Sequence, residues 1–418
     1  MANPSRNNAW LAIIVVAVIV IAVFAATEYK GMNVATTSTT ATTSTLQTTS
    51  VTKPVDVFNI EEWGASVNSD SYPPDNVVFN SNLSEIYLTG FPSPNITLID
   101  PLTHAVNGTL RMPGIDAESI AVDPKSGTVV VWVVTCRASN ANASTCQGYD
   151  ISTTAVEANG RTGKVDHVFP LYPGYFAVDF AAGTLFEIRG CPNPQGTPMD
   201  EYYANCGFLT SYDLRSGDLD SNFSLGAVPF SIAVNQAKHA TVFVTTGSEL
   251  LLINGSNGQT IKETSLPNES PYASTPVLSI DTATNTVFSM YENSTHTILT
   301  AINGTNGRLI YSSPIGSACY VDSNRYFVNP YTNEVYASAY NSQNNQGFFL
   351  TIDADTGHLT NILSTQGYDY VGSAYNPNLN EIYLLLGDGE LLSLKAPIAQ
   401  TYVDQNLLAD SSCSIIPV

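Results

Sequence analysis

Along most of the chain, apolar and polar residues alternate in short runs separated by clusters of Asn, Asp, Pro, Gly, Ser and Thr. A period of two predicts strands joined by tight turns, not helices. One pair of runs recurs. VNPYTNEVYAS from Val328 is an apolar strand, a small polar turn and a second strand reading E-V-Y. FNSNLSEIYLTG from Phe79, VDPKSGTVVVWV from Val122, VDFAAGTLFEIR from Val178, VNQAKHATVFVTT from Val234, IDTATNTVFSMY from Ile280 and YNPNLNEIYLLL from Tyr375 are versions of it. Successive starts lie 43, 56, 56, 46, 48 and 47 residues apart, the period of a four-stranded propeller blade.

Each copy runs on into a second hairpin with an apolar strand, a D/N-x-x-T/S-G-like turn and another strand. These stretches are 98–110, 149–160, 212–223, 252–263, 301–312 and 351–362. Asp or Asn at the head of such a turn bonds its own backbone, and Gly supplies the position with positive φ. The seventh copy is incomplete: ELLSLKAP after EIYLLLG is a third strand with no fourth. Val55–Ile60, VDVFNI, is a strand with no hairpin of its own. Pairing the two closes the ring and removes the exposed edges of an open array. The predicted fold is all-β, a seven-bladed β-propeller over residues 54–397 closed by an N-terminal strand, with a C-terminal tail over 398–418.

A different pattern precedes it. After a short flank, residues 1–9, which carries Arg6, the segment from Trp10 to Ala26 is apolar throughout. Its length as a helix approaches the ~30 Å hydrocarbon core of a bilayer. An uncleaved transmembrane anchor, a cleaved signal peptide and a pilin-like leader are the three readings, and each exports the rest of the chain. Arg6 on one side, with Glu28 and Lys30 on the other, biases an anchor toward an outside C-terminus. Residues 27–53 form a linker containing the Ser/Thr tract Ala35–Thr52, which lacks the apolar side chains to offset the entropy of ordering and reads as an extended, O-glycosylated stalk or a bare flexible tether. The expected place of the protein is thus the cell membrane, single-pass, with the propeller extracellular.

Composition narrows the partners. Charged residues are 12 % of the chain and the formal net charge is −21, so a nucleic-acid partner, whose phosphates demand Lys and Arg, is not expected. No G-x-S-x-G, H-E-x-x-H or phosphate-binding Gly loop is present, and neither catalytic residues nor a cofactor are assigned.

The blades resemble the YVTN family of β-propellers, relatives of the lactonase-like seven-bladed group of archaeal and bacterial surface proteins. GAVPFSIAVN (226–235) is similar to the family's G-x-x-P-x-x-I-A-V, VFVTTG (242–247) stands where the family has Y-V-T-N, and TIDADTGHL (351–359) resembles its D-x-x-T-G turn. Phe243 and Thr246 depart from the Tyr and Asn of that motif. The resemblance covers about residues 55–397 and implies the fold far more than an activity.

In an exported chain six cysteines point to disulfides before metals. Sequence-local pairing joins Cys136 to Cys146 and Cys191 to Cys206, each across the loop between the second and third strands of a blade, and leaves Cys319 for Cys413. No C-x-x-C pair or spaced histidines offer a metal site. Sequons at Asn82, Asn95, Asn142, Asn222, Asn268 and Asn293 are candidates for N-glycosylation, whereas Asn107, Asn254 and Asn303 begin Asn-Gly turns.

The resemblance further implies that residues entering the innermost strands line the channel. In this chain these are Asp116 and Glu118, Asp322 and Arg325, and Asp369 with Tyr370. They are candidates for holding a cation or small polar ligand, or they simply solvate the channel. Two functions follow from these readings. One is a non-enzymatic surface module for adhesion, envelope assembly or binding of a protein or glycan; the other is an extracellular lactonase-like hydrolase with a cation in the channel.

Overall fold

The computed structural model describes residues 56–59, 76–90, 93–136, 151–171, 175–191, 206–236, 241–247, 249–266, 277–292, 296–317, 321–341, 346–364, 370–386 and 390–396. They form seven four-stranded antiparallel sheets. No helix among the described residues is long and apolar enough to cross a membrane; segments 10–26, 27–53 and 398–418 lie outside them.

Each sheet is a blade, and in blades one to six the strands follow chain order from the channel outward. The innermost strands are Asn76–Asn80, Asp116–Val122, Tyr175–Asp179, Ser231–Asn235, Val277–Asp281, Val321–Asn329 and Tyr370–Asn376, for blades one to seven. Blade seven is completed as the sequence predicts. Asp56–Asn59 is its outermost strand, antiparallel to Glu390–Lys395, with Phe58 opposite Leu391 and Val57 opposite Leu392.

Period-two alternation explains how blades become a ring. In the second strand of blade six, Val335, Ala337 and Ala339 pack toward blade five while Tyr336 packs toward blade seven. Every blade divides its apolar residues in this way, so the core is seven clusters, each shared by two neighbouring blades. The cluster that closes the ring joins Val77, Ile86 and Leu88 of blade one to Tyr383, Leu385 and Leu391 of blade seven. Large aromatics fill the wide parts of these wedges. Tyr336 and Phe349 stack at 5.2 Å between ring centroids, and each contributes on the order of 1.5–3 kcal/mol by leaving water.

Turns behave as their chemistry demands. At the six second hairpins the head residues Asp100, Asn159, Asp213, Asn254, Asn303 and Asp353 accept backbone N–H bonds through Oδ1 from the residue two positions on. A backbone bond from four positions on closes each turn. The donor has positive φ, Gly in five turns and His104 in blade one. Blade two departs from expectation in one respect. Within the stretch 149–160, Ile151–Asn159 is one strand, and the turn follows at Asn159. The cause is length: the partner strand Thr128–Cys136 runs nine residues and pairs along all of them.

Hydrogen bonds also cross between blades. Tyr87 Oη of blade one donates to the Gly160 carbonyl of blade two at 3.0 Å. Tyr212 Oη of blade three donates to the Pro170 carbonyl of blade two at 3.0 Å, and Tyr311 Oη of blade five donates to Ala354 O of blade six at 2.9 Å.

Candidate functional site at the entry rim

The antiparallel order gives the ring two unlike rims. Chain direction puts the starts of the innermost strands, the loops between second and third strands and the inter-blade connections on one side, here called the entry rim. The opposite side, the turn rim, consists of the short Asx turns. Binding residues normally sit on longer loops carried by a rigid scaffold, which directs attention to the entry rim.

Three innermost strands are distorted there. In blade two Ala117 faces Val133 and Ser119 faces Trp132, so Glu118 bulges out of register. In blade six Asp322 faces Ser338 and Tyr326 faces Ala337, so residues 323–325 form a wide bulge that includes Arg325. In blade seven Tyr370 faces Leu386 and Gly372 faces Leu385, which displaces Val371. The first hairpins of blades one, three, four and five keep uninterrupted register. Bulges re-aim side chains at barrel rims and beside sites. The three bulged strands are the ones that carry the channel residues predicted from sequence.

The residues themselves differ in standing. Asp116 opens the innermost strand of blade two and has no accessible surface. Glu118 is half-buried, and its carbonyl accepts Thr89 Oγ1 of blade one at 3.3 Å. Asp322, Arg325 and Tyr370 are placed by their strands at the same rim, and Asp369 lies outside the described residues. Among the described residues no group of three or more His, Cys, Asp or Glu is arranged to hold a metal ion.

Cys191 and Cys206 are bridged, with Cα atoms 5.5 Å apart, and staple the entry-rim loop of blade three. Cys136 ends the second strand of blade two; Cys146, Cys319 and Cys413 lie outside the described residues. Below the bridge Arg189 and Phe208 are cross-strand partners, and the guanidinium sits 5.3 Å from the ring centroid, a cation–π geometry. Beside them Trp132 of blade two meets Phe176 of blade three edge-on at 6.3 Å, and Tyr175 is 55 % exposed. This aromatic and basic group was not singled out in the sequence. Its signal was there: Arg189 and Phe208 each stand two residues from a bridged cysteine, within R-G-C and C-G-F.

Of the sequon asparagines, Asn82, Asn95 and Asn222 are exposed; Asn142, Asn268 and Asn293 lie outside the described residues. Asn107 gives its amide to Glu85 Oε1 at 2.9 Å, and Asn254 and Asn303 cap their turns. The chain matches no protein-family model, and no curated protein aligns with it significantly.

Proposed function

We propose that the protein is a membrane-anchored extracellular propeller of the YVTN type, acting as a non-enzymatic module that binds a surface protein or glycan at its entry rim. The observation that carries this reading is the asymmetry of the two rims. Bulged strands, the Cys191–Cys206 staple and the exposed Tyr175 are on one rim. Tight, self-capped turns make up the other. An exposed aromatic on a rim that also carries a guanidinium suits the apolar face and hydroxyls of a sugar ring, or a polar protein surface. The fully buried Asp116 supports the binding reading over the hydrolase, because a carboxylate without accessible surface makes a poor channel ligand for a cation.

The test is a pair of measurements on the purified full chain. Binding to isolated cell-envelope glycans or surface proteins should survive a chelator and weaken at least several-fold in Tyr175→Ala. Stoichiometric Ca²⁺ in equilibrium dialysis together with turnover of a lactone panel would favour the hydrolase and sink this reading.

A further inference from the structure

The outer strands of blades one to six share one irregularity. Where each begins, a single residue is squeezed out of register with the third strand. In blades one, two, three and six that residue is polar: Asn107, Asp166, Asp220 and Thr360. In blades four and five it is Ile261 and Ile310, which are 55 % and 51 % exposed. An aliphatic side chain at such a position gains nothing from the ladder, and two on neighbouring blades make a surface.

Both isoleucines flank one seam. Thr264 Oγ1 of blade four donates to the Gly307 carbonyl of blade five at 2.6 Å, which holds that outer strand against the turn leading into Arg308. Lys262 pairs with Leu252 and Leu309 with Ile302, all on the core cluster shared by blades four and five, so Lys262 and Leu309 lie on this seam. Glu263 pairs with Leu251 of the cluster between blades three and four and turns the other way. The seam thus presents Ile261, Leu309 and Ile310 together with Lys262 and Arg308, all exposed. Blade three carries the counterpart: Leu219, 60 % exposed, stands between the exposed Asp218 and Asp220. Among the described residues the ion pairs are Lys164–Asp166, His167–Glu157 and Lys395–Glu381, and none of them draws on either surface.

We infer that this chain binds a second copy of itself head to tail, the acidic Leu219 surface of one copy seating on the basic seam between blades four and five of the next. Charge identifies the occupant. With 36 acidic residues against 15 Lys and Arg, two copies repel over most of their surface. Attraction needs a place where cations and apolar side chains coincide. The two surfaces are opposite in sign, each has an aliphatic centre, and both lie at the starts of outer strands. Because they are different surfaces the contact is heterologous: a pair leaves one of each kind free, and copies add into a closed ring or an open row. The inference uses the propeller alone and is independent of what the entry rim binds.

Sedimentation velocity of the full chain in detergent, at rising protein concentration, reads the association. Species heavier than one copy should grow with concentration and recede as salt is raised. Lys262→Gln with Ile310→Ser weakens the basic seam, and Asp218→Asn with Leu219→Ser weakens the acidic surface. All four positions are exposed, and circular dichroism checks that the sheets are kept. Each variant alone should associate at least ten-fold more weakly than the parent. Mixed, each still offers one intact surface to the other, so they should form a one-to-one pair that grows no further. A parent that stays a single copy at every concentration overturns the inference. So does a mixture that fails to pair, or a variant that assembles like the parent, since either puts the contact elsewhere.

Discussion

Gly258, at the turn of blade four, lies directly under the ring of Phe223 in the outer strand of blade three: a Cβ on Gly258 would stand 2.1 Å from Phe223 Cγ. The contact repeats around the ring, with Leu110 over Gly163, His167 against Gly217, Lys262 over Gly307 and Tyr311 over Gly357. Each turn glycine thus combines positive φ with the seat for a side chain of the preceding blade. Gly183 has the same backbone conformation, φ 70°, with nothing within 4 Å. Gly183→Ala should cost about 1–2 kcal/mol from left-handed strain alone. Gly258→Ala adds a steric term of about 1–3 kcal/mol. Urea midpoints of the two variants should rank in that order; equal losses would mean that Phe223 simply swings aside.

This relationship shows which parts of the fold were legible from the residues. Repeats of strand, Asx turn and E-x-Y are written locally, so the number of blades and the closure of blade seven by Val55–Ile60 could be read from spacing alone, while the register of Phe58 with Leu391 came from the structure. The second-hairpin stretch of blade two, 149–160, was read as strand, turn and strand, whereas Ile151–Asn159 is one strand, because strand length depends on the partner strand. Bulges at Glu118 and Arg325 were illegible because one or three extra residues leave the alternation on either side intact. Burial of Asp116 was illegible for a related reason: whether a strand's first residue faces the channel or the neighbouring blade is set by that bulge.

Tyr87 shows what the E-x-Y repeat contributes. Its hydroxyl accepts Asn80 Nδ2 at 3.2 Å and donates to the Gly160 carbonyl; in blade seven Tyr383 accepts Asn376 Nδ2 at 3.1 Å and donates to Glu381 at 2.9 Å. Burial raises both phenols' pKa. Tyr87→Phe leaves a carbonyl of the next blade without that donor and should cost about 1–3 kcal/mol. Tyr383→Phe, whose hydroxyl stays within its own blade, should cost less. Chemical denaturation of both variants checks the order, and a costlier Tyr383→Phe would refute the inter-blade role.

Acid should weaken the turns. Backbone N–H bonds from Thr103 and Leu102 hold the Asp100 carboxyl below its ordinary range, and those from Ser216 and Arg215 do the same for Asp213. A lowered folded-state pKa means stability that is present above the unfolded-state value and lost as pH falls through the folded-state value. Glu157 has the opposite sign: burial raises it, against the hydrogen bond from His167, so its contribution is lost as pH rises. Asp100→Asn with Asp213→Asn keeps the Oδ1 acceptors, as Asn159 and Asn303 show, but removes titration. The variant should be less stable than the parent near neutrality, and the gap should close progressively as pH falls below the unfolded-state carboxyl value of ~3.9. A difference that does not change with pH would exclude the carboxylates as its source.

Closure makes its own demand. Removing residues 54–62 exposes the edge of Glu390–Lys395, where Leu391 and Leu392 face Phe58 and Val57. Solubility and melting temperature should both drop, because an open sheet edge invites pairing with other chains. A deletion that melts like the parent would show that the ring does not need its N-terminal strand.

The Cys191–Cys206 bridge tests whether the entry rim is built separately from the ring. It closes a loop of 15 residues by sequence separation, for which the chain-entropy estimate is about 3 kcal/mol. Its flanking pairs Gly190–Gly207 and Arg189–Phe208 are the last of their ladder, and none of these residues belongs to the shared apolar clusters between blades. Cys191→Ser with Cys206→Ser should therefore lower the unfolding free energy by up to about that amount while leaving the β-sheet circular-dichroism spectrum unchanged. Binding at Tyr175 should weaken by more than the stability change accounts for, because the bridge positions the Arg189–Phe208 pair on the same rim. A variant that binds as well as the parent would move the binding surface away from blade three, toward the bulged strands of blades six and seven.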